Sequence, residues 1–182
     1  MKATRQLKDE HEGIRVMLNI LEKVCEKLEK TGAVEKEHFD SILEFLKIFI
    51  DTCHHGKEED LLFPAMTAAS DEAIAPTSAM RADHETGRGY VASMFRAHAA
   101  YVQGDASSSR DIAENARAYI SLLRDHMAKE NDVILEVVDK TFSDEQQNEL
   151  FDGFERIEEE RIGRGKHEEF HGLLDRLSAV YL

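Results

Sequence analysis

The run Cys53-His54-His55-Gly56-Lys57-Glu58-Glu59-Asp60-Leu61-Leu62-Phe63-Pro64 places His54 and Glu58 four residues apart. On a helix that spacing sets an imidazole and a carboxylate on one face, one turn apart. Leu46 and Ile50 lie upstream on that face and Leu61 lies downstream. Such groups are costly to bury on an apolar face unless something compensates, and where several converge a metal ion is the usual compensation. His55 and Glu59 form a second pair in the alternative register, on a face through Ile48, Asp51, Thr52 and Leu62. That face is less apolar, so His54 and Glu58 are the favoured pair.

The elements that must position these groups read as helices. A first spans about 4–30, with the stripe Leu7, Ile14, Leu18 and Leu21, His11 within it, and Thr31-Gly32 as its end. A second spans about 35–63, through Phe39, Leu43, Leu46 and Ile50, with Pro64 as a kink or a new first turn. Residues 64–78 read as a connection. A third helix covers about 79–103, with the stripe Met80, His84, Gly87, Val91, Met94, His98 and Tyr101. A fourth covers about 110–140, with Ser109 as N-cap and the stripe Tyr119, Leu123, His126, Glu130, Val133 and Val137. Ser143-Asp144-Glu145-Gln146 resembles a capping box and opens a fifth segment into Glu158-Glu159-Glu160, a run that reads as solvated. Beyond Gly163 and Gly165 a helical period resumes through His167, Phe170, Leu174 and Leu177. No stretch alternates at period two. The expectation is an all-α protein: an up-down-up-down four-helix bundle over residues 1–140, with an additional C-terminal helix in an extension, 141–182, packed on it.

Composition bounds the function. The 182 residues carry a net charge of −14 with 33% charged residues, 10 Gly and 2 Pro. So acidic a chain is a poor partner for nucleic acid or an anionic membrane. No run of 18 apolar residues exists to span a bilayer. The two cysteines, Cys25 and Cys53, make no CxxC pair, and the start shows no signal peptide, so a reduced cytoplasmic protein is expected.

Every helix of the expected bundle carries a polar intruder: His11 on the first, His54 and Glu58 on the second, His84 on the third, His126 and Glu130 on the fourth. In an antiparallel arrangement all of them fall toward one end. His98 lies 14 residues beyond His84, roughly 21 Å along a helix, and cannot share that site. His38 opens the second helix at the opposite end. Four imidazoles and two carboxylates suit a pair of metals better than one, with the carboxylates bridging. Nitrogen and oxygen donors without thiolate favour iron or manganese, with zinc as an alternative. Ile50, Leu61, Val91 and Leu123 would keep the surroundings apolar, and Gly87 would leave space. Tyr119, two turns before His126, reads as a core tyrosine with a satisfied hydroxyl.

These residues, in the order Leu7-Lys8-Asp9-Glu10-His11, His54-x-x-x-Glu58-Glu59-x-x-Leu62-Phe63-Pro64, Asp83-His84 and His126-x-x-x-Glu130, resemble the hemerythrin-like family, or HHE cation-binding domain, over about residues 4–140. The resemblance implies a non-haem centre of two iron ions, bridged by two carboxylates and by oxo or hydroxo. It implies binding or sensing of dioxygen or a related small molecule. The alternative is a di-iron oxidoreductase acting on peroxide, nitric oxide or dioxygen. The chain departs from the oxygen carriers on the third helix, where Arg88 stands in place of a second His, leaving one imidazole missing. His167, or the nearby Glu160, brought back by a fifth helix, is the candidate to fill that gap. The expected metal ligands are therefore His11, His54, Glu58, His84, His126, Glu130 and His167.

Overall fold

The computed structural model describes residues 2–182, which form helices with no strand among the described residues. Helix α1 spans Ala3–Thr31 and stops at Gly32, whose left-handed φ of 66° lets its N–H close onto Leu28 O at 2.8 Å. Helix α2 is an unbroken helical run over 36–69. It starts as Lys36–Glu44, widens into π turns over Phe45–His55 and again over Glu58–Leu62, and finishes as Phe63–Ala69. Pro64 does not end it: it stands in the first turn of the closing stretch, where its missing N–H costs little.

The connection expected over 64–78 shrinks to Ser70 and a single 3₁₀ turn, Asp71–Ala73, before α3 spans Ile74–Val102. Pro76 and Thr77 read as breakers. They fall instead among the first four residues of α3, whose N–H groups have no helical partner in any case. Helix α4 covers 108–141, with Ser108–Lys129, a wide segment Glu130–Ile134, and Leu135–Thr141. Ser109 lies inside this helix rather than capping it; the N-cap position is Ser107, which makes no side-chain cap, and Asp105 ahead of it accepts from Ser107 N at 3.1 Å and Ser108 Oγ at 3.0 Å. Helix α5 spans Asp144–Arg161 behind a complete capping box of Ser143 and Gln146. Helix α6, Lys166–Tyr181, follows a turn in which Gly163 and Gly165 hold φ of 89° and 81°.

Helices α1 and α4 run antiparallel, as do α2 and α3. Along α1 and α4 the pairs Thr4–Asp139, His11–Asn131, Glu22–Arg124 and Glu29–Arg117 rise on one helix as they fall on the other. Along α2 and α3 the pairs are Asp40–His98, Asp51–Arg88 and Glu59–His84.

The buried apolar residues separate into two clusters. One runs from Ile14 to Leu28 on α1, through Phe39–Ile50, Met94 and Ile112–Met127, to Phe170 and Leu177 of α6. The other gathers Ala3, Leu7, Leu62, Phe63, Met80, Ile134 and Val138 with Leu150 and Phe154 of α5. Between Leu7 and Ile14, Ile50 and Leu62, Met80 and Met94, and Leu123 and Ile134, each of the four helices interposes its buried His and Glu residues. The polar layer is thus closed above and below by hydrocarbon. Each fully buried large apolar side chain contributes about 1.5–3 kcal/mol toward holding it shut.

The π segments correct two sequence readings. A π turn carries more residues than an α turn, so the inward face shifts by one position past it. Leu62 is fully buried and Leu61 only partly. Likewise Ile134 and Val138 point inward, whereas the expected Val133 and Val137 are 50% and 42% exposed.

Candidate metal centre

Seven buried side chains converge in this layer as two groups. His55, Glu58, His84 and His126 form one, and His11, His54, Glu58 and Glu130 form the other; within each, one ligand atom per residue lies within 4.8 Å of all the rest. Glu58 belongs to both. Six of the sequence candidates, His11, His54, Glu58, His84, His126 and Glu130, are brought together here.

His55 is the residue that the apolar-face argument passed over. The widened turns of Phe45–His55 place His54 and His55 both inside, at 1% and 3% exposure, facing different groups. His55 lies flat on His84, with ring centroids 3.7 Å apart and planes at 12°. His55 of the second register thus stands in the layer with His54 and Glu58 of the first. Glu59 stands outside the groups and accepts from His84 Nδ1 at 2.6 Å. Arg88 does not enter the cluster: its guanidinium donates to Asp51 at 2.8 Å and to Glu59 and Glu85 at 3.0 Å.

The structure places His167 outside both groups. Its ring stacks on Phe49 at 5.3 Å, and its Nδ1 faces Glu158 at 3.4 Å. Glu160 is exposed. Glu158, read as part of a solvated run, instead reaches inward to Lys57 Nζ at 3.0 Å. His98 and His38 are held elsewhere, by Asp40 at 2.8 Å and by the Tyr181 hydroxyl at 2.9 Å.

Three of the imidazoles, His11, His54 and His84, are held by an acceptor behind them. His11 Nδ1 sits 3.1 Å from Asn131 Oδ1, and His54 Nδ1 sits 2.8 Å from Glu10 Oε2. The Nδ1 atoms of His126 and His55 lie 3.5 Å from Asp83 and 3.6 Å from Asp51 without forming a hydrogen bond. A proton held on Nδ1 leaves the Nε2 lone pair free, the form in which histidine binds a metal. The Nε2 atoms indeed turn toward one another, 3.1 Å apart in the pairs His11–His54 and His84–His126. They also approach the carboxylates, with His54 3.1 Å and His84 3.2 Å from Glu58, and His11 3.2 Å from Glu130. The supporting roles of Glu10, Glu59 and Asn131 cannot be read from sequence spacing, because their partners lie on other helices.

The carboxylates test the fit. Glu58 and Glu130 are both 0% exposed, and none of their four oxygens has a hydrogen-bond partner. Two unpartnered carboxylates buried in contact are expensive unless a cation joins them. The electrostatics point the same way. Burial and the Glu58 charge push Glu130 well above the usual carboxylate range. Glu58 is held well below that range, because the nearby His54 charge outweighs burial. Burial opposes a charge on His54, yet Glu58 and Glu10 raise it to about 9. Burial drives His11 and His55 down to about 3 and His126 to about 4, which keeps them neutral ligands. The thiols of Cys25 and Cys53 are pushed up to about 12 by burial and belong to neither group. Imidazole and carboxylate donors without thiolate match a borderline-to-hard transition metal.

Behind the cluster, Lys57 is fully buried between Glu10 at 2.5 Å and Glu158 at 3.0 Å. Burial alone would lower its pKa, but Glu10 outweighs it and raises the value. Glu10 in turn is held at about 2, with burial opposing and His54 and Lys57 prevailing.

Fold and cluster together define a class: all-helical proteins with a buried His/Glu site for cations. Residues 2–138 match the family described as Hemerythrin HHE cation binding domain, and the chain belongs to that family. It is also similar to uncharacterized proteins of Mycobacterium bovis (strain ATCC BAA-935 / AF2122/97) and Mycobacterium tuberculosis (strain ATCC 25618 / H37Rv). Each is 22% identical over 178 residues, which cover 98% of this chain and 68% of theirs. No solved structure matches the chain. Among the described residues, no helix is long and apolar enough to cross a membrane.

Proposed function

We propose that this chain is a non-haem di-iron protein that binds or senses dioxygen or a related small molecule at its centre. The carrying observation is the pair Glu58 and Glu130, whose four buried oxygens lack hydrogen-bond partners and face imidazole Nε2 atoms. We assign His55, His84 and His126 to one ion, His11 and His54 to the other, and Glu58 and Glu130 to both. When bound, the ions supply redox chemistry and an affinity for dioxygen. The chain's own residues orient His54, His11 and His84 through Glu10, Asn131 and Glu59, and exclude water through the two flanking apolar clusters.

His55 supplies the imidazole that Arg88 withholds. Arg88 is tied to three carboxylates. An open ligand position at Arg88 would favour an oxidoreductase; with His55 in that place, binding is favoured over turnover.

The finer architecture belongs to the same proposal: an up-down-up-down four-helix bundle over 1–140 and a C-terminal extension over 141–182. The antiparallel pairing of α1 with α4 and of α2 with α3 supports it. Two free, buried thiols support a reducing compartment, the cytoplasm.

The test is elemental analysis of freshly purified protein, with absorption spectra before and after exposure to air. Two irons per chain and near-ultraviolet bands that respond to oxygen are the expected result. Zinc, or no metal after anaerobic iron loading, would overturn the oxygen chemistry.

A further inference from the structure

A cavity of about 240 Å³ opens beside the centre, between α2, α3 and α4. Its wall is chiefly apolar, formed by Leu46, Val91, Phe95 and the ring of Tyr119, and the buried His55 contributes to it. One water needs only about 10–15 Å³ of such space, so the cavity is far larger than a diatomic ligand fills. Gly87 helps to shape it: a Cβ there would come within 3.4 Å of the Tyr119 ring.

The polar groups of the cavity set the ligand's character. The Tyr119 residue as a whole is 2% exposed, and its hydroxyl, which makes no hydrogen bond to the described residues, is not sealed from solvent. The hydroxyls of Tyr101 and Tyr181, by contrast, are engaged with Gly32 and His38. A phenol on the cavity wall with no hydrogen bond to the protein is free to donate to an acceptor placed there, unlike the satisfied core hydroxyl expected of it. Arg88 also lines the cavity, but its guanidinium is held by Asp51, Glu59 and Glu85. The wall holds two cations, Lys47 and Arg88, and one carboxylate, Asp51; with Arg88 engaged by carboxylates and Lys47 drawn over the Phe95 ring at 5.9 Å, neither cation is left unengaged to hold an anion in the cavity. Phe95 is 39% exposed and offers an apolar lip.

We propose that this cavity binds a neutral, largely apolar organic molecule of aromatic or short-alkyl type, carrying one acceptor oxygen for the Tyr119 hydroxyl. The occupant packs against Val91 and Phe95 and touches His55, whose ring stacks on His84 of the centre. This goes beyond the small-gas reading and does not depend on the metal: the cavity is bounded by protein side chains alone.

The experiment is calorimetric titration of the full chain, both iron-free and after iron loading, with acetophenone, ethylbenzene and benzoate. These probes are close in size, and they are respectively neutral with an acceptor, neutral without one, and anionic. Acetophenone is expected to bind saturably to both forms, about five-fold tighter than ethylbenzene, the worth of one net hydrogen bond. Benzoate is expected to bind more weakly than either. Tyr119→Phe, which keeps the ring, should abolish the preference for acetophenone while leaving ethylbenzene unchanged. Ala92→Phe introduces a ring at an exposed position of the wall and should abolish binding of both neutral probes with an unchanged melting temperature. Absence of saturable binding would overturn the proposal, as would benzoate binding tightest or Ala92→Phe binding like the parent. A protein that binds acetophenone but never takes up iron would instead overturn the proposed function and leave this cavity standing.

Discussion

His55 lies face to face with His84, ring centroids 3.7 Å apart, while its neighbour His54 turns to the opposite group and meets His11 Nε2 at 3.1 Å. Two consecutive residues thus serve two halves of one cluster. This division makes metal stoichiometry sensitive to single substitutions. Glu58, common to both groups, should be indispensable: Glu58→Ala is expected to bind neither ion. His55→Ala and His11→Ala should each retain about one. Elemental analysis of the three variants checks this; full occupancy in Glu58→Ala would refute the shared-carboxylate assignment.

The acceptors behind the imidazoles should matter without touching metal. Asn131→Ala removes the Oδ1 that holds His11 Nδ1 at 3.1 Å. Such supporting contacts are typically worth about 10–100-fold in metal affinity. A competition titration against a chelator of known affinity would measure the loss. Unchanged affinity would show that helix packing alone orients His11.

Lys57 is 0% exposed between Glu10 and Glu158, so Lys57→Ala would leave Glu10 as a buried carboxylate with His54 alone for company. Breaking a buried pair in this way costs about 3–5 kcal/mol. Urea denaturation of iron-free protein should show that loss. A change under about 1 kcal/mol would mean that water reaches Glu10 once the lysine is gone.

Metal should stabilise the fold because it relieves Glu58 and Glu130. At a free metal concentration a hundredfold above Kd, the gain is about 2.7 kcal/mol. Melting curves of chelated and iron-loaded protein would reveal it, and coincident curves would exclude coupling between this site and folding.

His167→Ala should keep both metals and the spectrum of the parent, since His167 stacks on Phe49 and faces Glu158. The expected cost is about 0.5–1.5 kcal/mol for the lost ring pair. Altered metal content in that variant would bring α6 into the centre after all. Phe154→Ala, by contrast, empties a fully buried position where α5 meets the second apolar cluster, and should cost about 3–5 kcal/mol.

Much of this was legible in the sequence because periodicity reports burial directly. The stripe Leu7, His11, Ile14 and Leu18 occupies one face of α1, and all four residues are buried. Gly32 and the Ser143/Gln146 box marked ends that the backbone honours. The reading failed where a constant period was assumed. Past Glu130 the α period points to Val133 and Val137, but the π turn brings Ile134 and Val138 inward. The same widening explains how His54 and His55 are both buried.

The sequence by itself determined that the chain would be helical, that each of four helices would carry a His or a His/Glu pair on an apolar stripe, and that no thiolate would compete for the site. Those are local facts of residue type and spacing. Only the tertiary structure decided that His55 joins His84, that Glu10 and Asn131 stand behind His54 and His11, that Lys57 is buried, and that Tyr119 faces a cavity without a partner. Each of these depends on the relative rotation of packed helices. A few wide turns set that rotation, and the cost of burying unpaired charge selects the arrangement in which carboxylates and imidazoles face one another across the layer.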